Sequence, residues 1–224
     1  MVVMDVKIDN FICFRNFHMN MSYPKKIVGS YIENEFLPGR TNFRYKKVNI
    51  IMGANASGKT SIGKMLMRIF NFIDKKQYES LTDVICDVDK NASFEMDFVT
   101  DKCVLYRVKT VIRPKNGEKY SLSNIDVTVH STDITLRDSY ETCVKKIEAQ
   151  KEAKAATYIQ ELEKIQDLSW MFEYPFDSSE SMKGIYTTKN AERFLRVLDK
   201  ILKSLDSAIL KVEKSDEVDN TYII

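Results

Sequence analysis

Few residues in this chain are equipped to hold a transition metal. There are four cysteines, Cys13, Cys86, Cys103 and Cys143, at wide and irregular spacing, and only two histidines, His18 and His130. No C-x-x-C occurs, so no zinc site is expected, and the cysteines read as buried or half-buried reduced thiols. Long apolar runs are also missing. None approaches the roughly 20 residues that a membrane span needs. The start, Met1-Val2-Val3-Met4-Asp5, lacks a basic segment followed by an apolar one. No signal peptide, no membrane partner and a cytoplasmic location are therefore expected. Charge of one sign is missing too. Lys and Arg number 34 against 32 Asp and Glu, a net charge of +2 that neither demands nor excludes nucleic acid. Repeats and low-complexity tracts are lacking. Glycine is scarce, with seven in 224 residues, yet three of them fall between positions 53 and 63.

That cluster is the most informative stretch. Gly53-Ala54-Asn55-Ala56-Ser57-Gly58-Lys59-Thr60 reads G-x-x-x-x-G-K-T, a phosphate-binding loop. Glycines at both ends let the backbone wrap a phosphate chain, and successive N–H groups point at its oxygens. Lys59 is expected to contact the β- and γ-phosphates and to steady transition-state charge. The Thr60 hydroxyl is the expected Mg²⁺ ligand, and Ser61 closes the set of nucleotide-contacting residues. The flanks have the required order of strand, loop and helix. Lys47-Val48-Asn49-Ile50-Ile51-Met52 reads as a buried strand. Ile62, Met65, Leu66, Ile69, Phe70 and Ile73 recur at helical spacing on one face, to about residue 75. The helix begins at the loop, so its positive end faces the phosphates.

Elsewhere the pattern alternates between strand and helix. Residues 2–9 and 17–23 read as antiparallel strands joined by Asp9-Asn10 and Arg15-Asn16 turns. Residues 24–46 form a long connection with room for a short strand, and 76–91 for a short helix. Residues 93–99, 103–112 and 119–130 read as an antiparallel β-layer, with Asn116-Gly117 as a hairpin signal. Residues 138–168 are helical in composition without a sustained heptad, so one or two surface helices are expected. Pro175 and Asp177-Ser178-Ser179 mark a loop. Asn190 then caps an amphipathic helix with Phe194, Val197, Leu198, Ile201, Leu202 and Leu205 on one face. Residues 208–213 and 218–224 suit a closing hairpin. Pro24-Lys25-Lys26 and the basic–aromatic run Arg40 to Lys47 could contact nucleic acid, but Glu33 and Glu35 between them favour a solvated loop.

Three features resemble the ATPase heads of the ABC type in the SMC, RecF and OLD group, most closely the OLD-like AAA-type ATPases. The opening Val6-Lys7-Ile8-Asp9-Asn10-Phe11-Ile12-Cys13-Phe14-Arg15-Asn16-Phe17 is similar to the family's first strand and Asn-Phe turn. The loop has the family's Gly-x-Asn-x-Ser-Gly-Lys form at Gly53, Asn55, Ser57, Gly58 and Lys59. The β-rich segment after the helix matches the family's antiparallel sublayer. The resemblance implies an α/β P-loop NTPase fold: an ABC-type head lobe with a mixed core sheet, an antiparallel sublayer and flanking helices. It implies ATP and Mg²⁺ as ligands and a homodimer closed around nucleotide. It also implies a coupled effector or DNA transaction in defence or repair. Arg15 stands nearest the basic position that relatives place after Asn-Phe, where this chain has Ile12.

The rest of the family's pattern is missing. No apolar run ends in Asp-Glu. Phe194–Asp199 is broken by Arg196, and Val84-Ile85-Cys86-Asp87 is too short. No Ser-Gly-Gly-like signature occurs, and neither histidine is placed as a switch residue. Gln150, Gln160 and Gln166 fit the family's catalytic glutamine by order only and read as solvent-facing. Residues 1–224 therefore read as a first lobe whose second lobe lies elsewhere, able to bind nucleotide and poor at hydrolysing it. Two other readings stay open. One is a small-molecule kinase or GTPase, although no compact Arg cluster and no Asn-Lys-x-Asp is present. The other is a non-catalytic interaction module, against which the intact Lys59-Thr60 pair argues.

Overall fold

The computed structural model describes residues 1–24, 32–53, 58–115, 117–151, 157–168, 170, 191–205, 210–211, 213–214 and 222–223. They divide into two units, Met1–Trp170 and Met171–Ile224.

The first unit is mixed α/β and is built on a five-stranded antiparallel sheet. Its strands are β1 (Val2–Asp9), β2 (Phe17–Asn20), β5 (Ala92–Val99), β6 (Val104–Ile112) and β7 (Ile125–Asp133), in the order β2-β1-β5-β6-β7. The period-2 patterns explain the pairing. Val6, Ile8, Phe94, Met96, Phe98 and Val108 are buried and share one face, so any one-residue slip would expose all of them. Helix α1 (Lys59–Lys75) covers that face with its predicted apolar stripe. Phe70 meets Phe98 edge-on at 6.4 Å, and Phe72 meets Phe94 edge-on at 6.0 Å. The Phe72 ring also stacks on Tyr158 of α4 (Tyr158–Leu162) at 5.9 Å. Burying one such ring contributes about 2–3 kcal/mol.

A bulge in β1 shapes the opposite face. The register shifts between Val3 and Asp5, which puts Met4 and Asp5 on the same side of the sheet. Met4 joins an apolar cluster with Leu37, Phe43, Leu105, Ile134 and Cys143. This cluster lies under helix α3 (Tyr140–Glu148) and the hairpin of β3 (Phe36–Leu37) and β4 (Arg40–Arg44). Ser139 caps α3 by accepting from Thr142 N–H at 3.3 Å. The predicted surface helices thus carry a core face: Tyr140, Cys143, Ile147, Tyr158 and Leu162 are all buried.

The exposed edge of β7 is plugged by side chains. Glu161 Oε2 accepts from Val129 N–H at 2.9 Å, and Gln150 Nε2 donates to Ser131 O at 2.8 Å. These bonds occupy backbone groups that could otherwise pair with another strand. The β6–β7 hairpin turns through Gly117 at φ 136°, a conformation suited to glycine. Asn116 lies outside the described residues. The short helix expected within 76–91 is α2 (Glu79–Thr82).

Two expectations are corrected. The run Lys47–Met52 is not a strand, and its apolar residues are not buried: Val48, Ile50, Ile51 and Met52 are 41% to 81% exposed. A strand needs a neighbour for its ladder and a layer to cover its side chains, and no described strand pairs with this run. For the same reason no mixed core sheet is seen among the described residues. β1 and β2 join the β-layer instead of forming a separate sheet, and every described pairing is antiparallel.

The second unit contains α5 (Ala191–Leu205) and a two-residue antiparallel pair, β8 (Glu213–Lys214) with β9 (Tyr222–Ile223). Leu198, Ile201 and Leu202 are half-buried, and Val197 is exposed. Lys203 pairs with Asp199 at 2.9 Å, one turn apart. The predicted cap Asn190 and the loop around Pro175 lie outside the described residues.

Candidate functional site

The start of α1 organises the site. Gly58 occupies the N-cap position with φ 89° and ψ 7°, in the left-handed region. Any side chain there would be strained, so the second glycine of the motif has a conformational reason. The N-cap glycine has no side chain to cap this end, and the first turn contains no acidic residue. The leading N–H groups and the positive end of the helix dipole suit an anion. Lys59 Nζ donates to Gly53 O at 2.7 Å, spanning the loop from end to end. Thr60 is exposed and Ser61 half-buried, both in the first turn of α1. Ala54, Asn55, Ala56 and Ser57 lie outside the described residues.

An open cavity of about 710 Å³ borders this helix start. It is lined by residues 51–53 with Gly58, Lys59 and Ile62, and by residues 13–19. Arg15 therefore lines the same cavity as Gly53, Gly58 and Lys59. The Arg15 segment is held in place by the turn before it. Asn10 N–H donates to Phe14 O at 3.0 Å, and Phe14 N–H to Phe11 O at 2.8 Å. Asn10 and Asn16 have φ of 61° and 50°, which asparagine tolerates. Phe11 is fully buried and anchors the turn.

Three residues at the cavity were not singled out by sequence. Phe17 and His18 line it from β2, and Cys13 lines it beside Gly58. His18 Nε2 donates to Asp5 Oδ2 at 2.9 Å. The only signal for these positions was their closeness in sequence to Arg15. The three candidate glutamines are elsewhere: Gln150 is spent on the sheet edge, while Gln160 and Gln166 are exposed and do not line the cavity.

Residues of the basic–aromatic stretch are engaged within the fold. Arg40 Nε donates to Ile134 O at 2.6 Å, Lys47 Nζ donates to Glu33 O at 2.7 Å, and Phe43 is buried. Lys46 Nζ lies 5.5 Å from the centre of the Tyr23 ring. Lys25 and Lys26 lie outside the described residues. The cysteine expectation is corrected in part. Cys143 is buried, and burial pushes its thiol up to about 11, and Cys103 is half-buried, but Cys13 and Cys86 are exposed because they sit on the connecting turns.

Among the described residues no three His, Cys, Asp or Glu side chains gather as a metal site. Mg²⁺ typically keeps several waters and takes few protein ligands beside substrate phosphates. The exposed Thr60 hydroxyl fits that role in part, since it supplies one oxygen at the helix start. No described helix is long and apolar enough to cross a membrane. In comparison with known proteins, no family model matches the chain and no curated protein matches it.

Proposed function

We propose that this chain binds ATP with Mg²⁺ through residues 53–61 and is the first lobe of an ABC-type ATPase head of the SMC, RecF and OLD group. One observation carries the reading. The G-x-x-x-x-G-K-T motif ends in a 17-residue helix whose glycine-capped start, with Gly53, Lys59 and Arg15, borders one open cavity. Backbone N–H groups at 58–61 bind phosphate oxygens, Lys59 neutralises charge on the β- and γ-phosphates, and Arg15 adds a second cation to the same cavity. Mg²⁺ supplies charge neutralisation between phosphates, and the Thr60 hydroxyl is its protein ligand here. Two such heads close as a homodimer across the nucleotide face, in the cytoplasm, and that motion drives an effector or a DNA transaction. The chain lacks an apolar run ending in Asp-Glu, so it binds ATP better than it cleaves it.

The test is calorimetry with ATP and Mg²⁺ on the wild type and Lys59→Ala, with far-UV circular dichroism to show that the fold is kept. The variant is expected to lose about 100-fold in affinity, as removal of charge-assisted phosphate contacts implies. Equal affinity in the two proteins would sink the assignment. Competition by GTP as strong as by ATP would favour the GTPase reading instead.

A further inference from the structure

Two exposed thiols flank one peptide group beside the cavity. Cys13 lines the cavity, and its sulfur is 3.6 Å from where a Cβ on Gly58 would sit. Cys86, also exposed, donates from Sγ to Ile12 O at 2.6 Å. That carbonyl belongs to the peptide bond leading into Cys13. The two segments are strapped together. Ile12 N–H donates to Val84 O at 2.7 Å, Cys86 N–H to Asn10 O at 3.1 Å, and Phe11 bridges Ile85. Asn10 adds bonds to both backbone groups of Asp87, accepting at 2.9 Å and donating at 2.8 Å. Ile12 is held at φ 52°, a left-handed conformation that a β-branched residue adopts only under constraint. The strap therefore holds the two segments side by side, and both cysteines are exposed.

We propose that Cys13 and Cys86 form a reversible disulfide that regulates the nucleotide site; this rests on the ATP-binding reading above. The oxidant class is a peroxide. One thiol is oxidised by hydrogen peroxide to a sulfenic acid with release of water. The second sulfur attacks it, the S–S bond forms, and a second water leaves. The two thiols together lose two electrons and two protons. A thiol reductant reverses the step by exchange. The bridge draws the Cys13 sulfur towards Cys86 and fixes the turn that carries Arg15, so it reshapes the cavity wall facing Gly58 and Lys59. The reduced form binds nucleotide and the bridged form binds it weakly.

The experiment uses the full chain, reduced or treated with hydrogen peroxide, followed by alkylation, peptide mapping and titration with a fluorescent ATP analogue. A linked Cys13–Cys86 peptide pair is expected, with affinity lowered about tenfold or more and restored by dithiothreitol. Cys86→Ser keeps a donor to Ile12 O and lies outside the cavity, so it should bind as the reduced wild type does and ignore peroxide. A missing bridge, a bridge to Cys103 or Cys143, or a bridge without loss of affinity would each overturn the switch. If reduced wild type fails to bind nucleotide, the ATP-binding reading fails and the switch fails with it. If it binds but no bridge forms, only the switch fails.

Discussion

Strand β1 connects two charged regions that are built in opposite ways. On its bulged side Asp5 lies directly across from Asp97, and Asp97 is only 1% exposed. Burial, the strongest influence, pushes the Asp97 carboxyl up, and its donors pull it partly back. Those donors are Arg107, bidentate at 2.7 Å through both Nε and Nη2, and the Tyr140 hydroxyl at 2.6 Å. Asp5 is met by His18 and by Asn20 Nδ2 at 2.7 Å. Beyond the end of β1 the charged residues are arranged differently. Arg15 and Lys59 line an open cavity at a helix start whose N-cap is a glycine. Where carboxylates are buried the donors are supplied from within, as an unpaired buried charge would be costly. At the start of α1 Lys59 donates across the loop to Gly53 O, the exposed Arg15 lines the same open cavity, and the helix end suits an external acceptor. The first arrangement holds the sheet together, and the second suits a ligand.

The largest test of this contrast is Arg107→Met. It leaves Asp97 buried without its main partner and should cost about 3–5 kcal/mol of stability in urea unfolding. Adding Asp97→Asn removes the stranded charge and should recover part of that loss. Any residual folded protein should still bind nucleotide with little change in affinity. A stable Arg107→Met protein that lost ATP binding would break the division between the two regions.

Arg15→Ala tests the other side with a smaller effect. It should weaken ATP affinity about tenfold, roughly 1.4 kcal/mol, and leave the urea midpoint where it was. Arg15 is exposed, and no described hydrogen bond of its side chain holds the fold. A drop in stability with no change in affinity would move Arg15 from the ligand side to the structural side.

The two regions were unequally legible in the sequence. Helix α1 could be read because local rules dictate it: a glycine at its start, then an apolar stripe at helical spacing. The β-layer could be read because period-2 alternation needs only local sequence. The buried Asp97–Arg107–Tyr140 cluster could not. Its members are 10 and 43 positions apart, and charged residues in a strand look like its solvent face until α3 is laid over them. The bulge at Met4 was invisible for the same reason, since only the partner strand reveals the extra residue. Lys47–Met52 misled in the opposite direction. Its composition is that of a buried strand, but burial depends on a partner that composition does not supply.

The smallest effect expected is at Asp138, between the two extremes: a carboxylate at the rim of the α3 cluster held by Lys146 and Thr135. Burial pulls its carboxyl up, but Lys146 at 2.6 Å and Thr135 N–H at 2.8 Å outweigh that, and its pKa is lowered from the ordinary value. A carboxyl depressed in the folded state adds stability above its unfolded pKa, near 4, and loses it as pH falls through the folded value. Asp138→Asn should therefore cost about 1 kcal/mol at neutral pH, the size of one hydrogen bond with modest charge assistance. The difference from wild type should shrink as pH is lowered below about 4 and vanish once the wild-type carboxyl is protonated. Urea unfolding at neutral pH and at a series of acid pH values measures it. A gap that stays constant down to the acid limit would mean that shape, not charge, holds Asp138 against Lys146, and the rim would then belong with the packed core rather than with the Asp97 cluster.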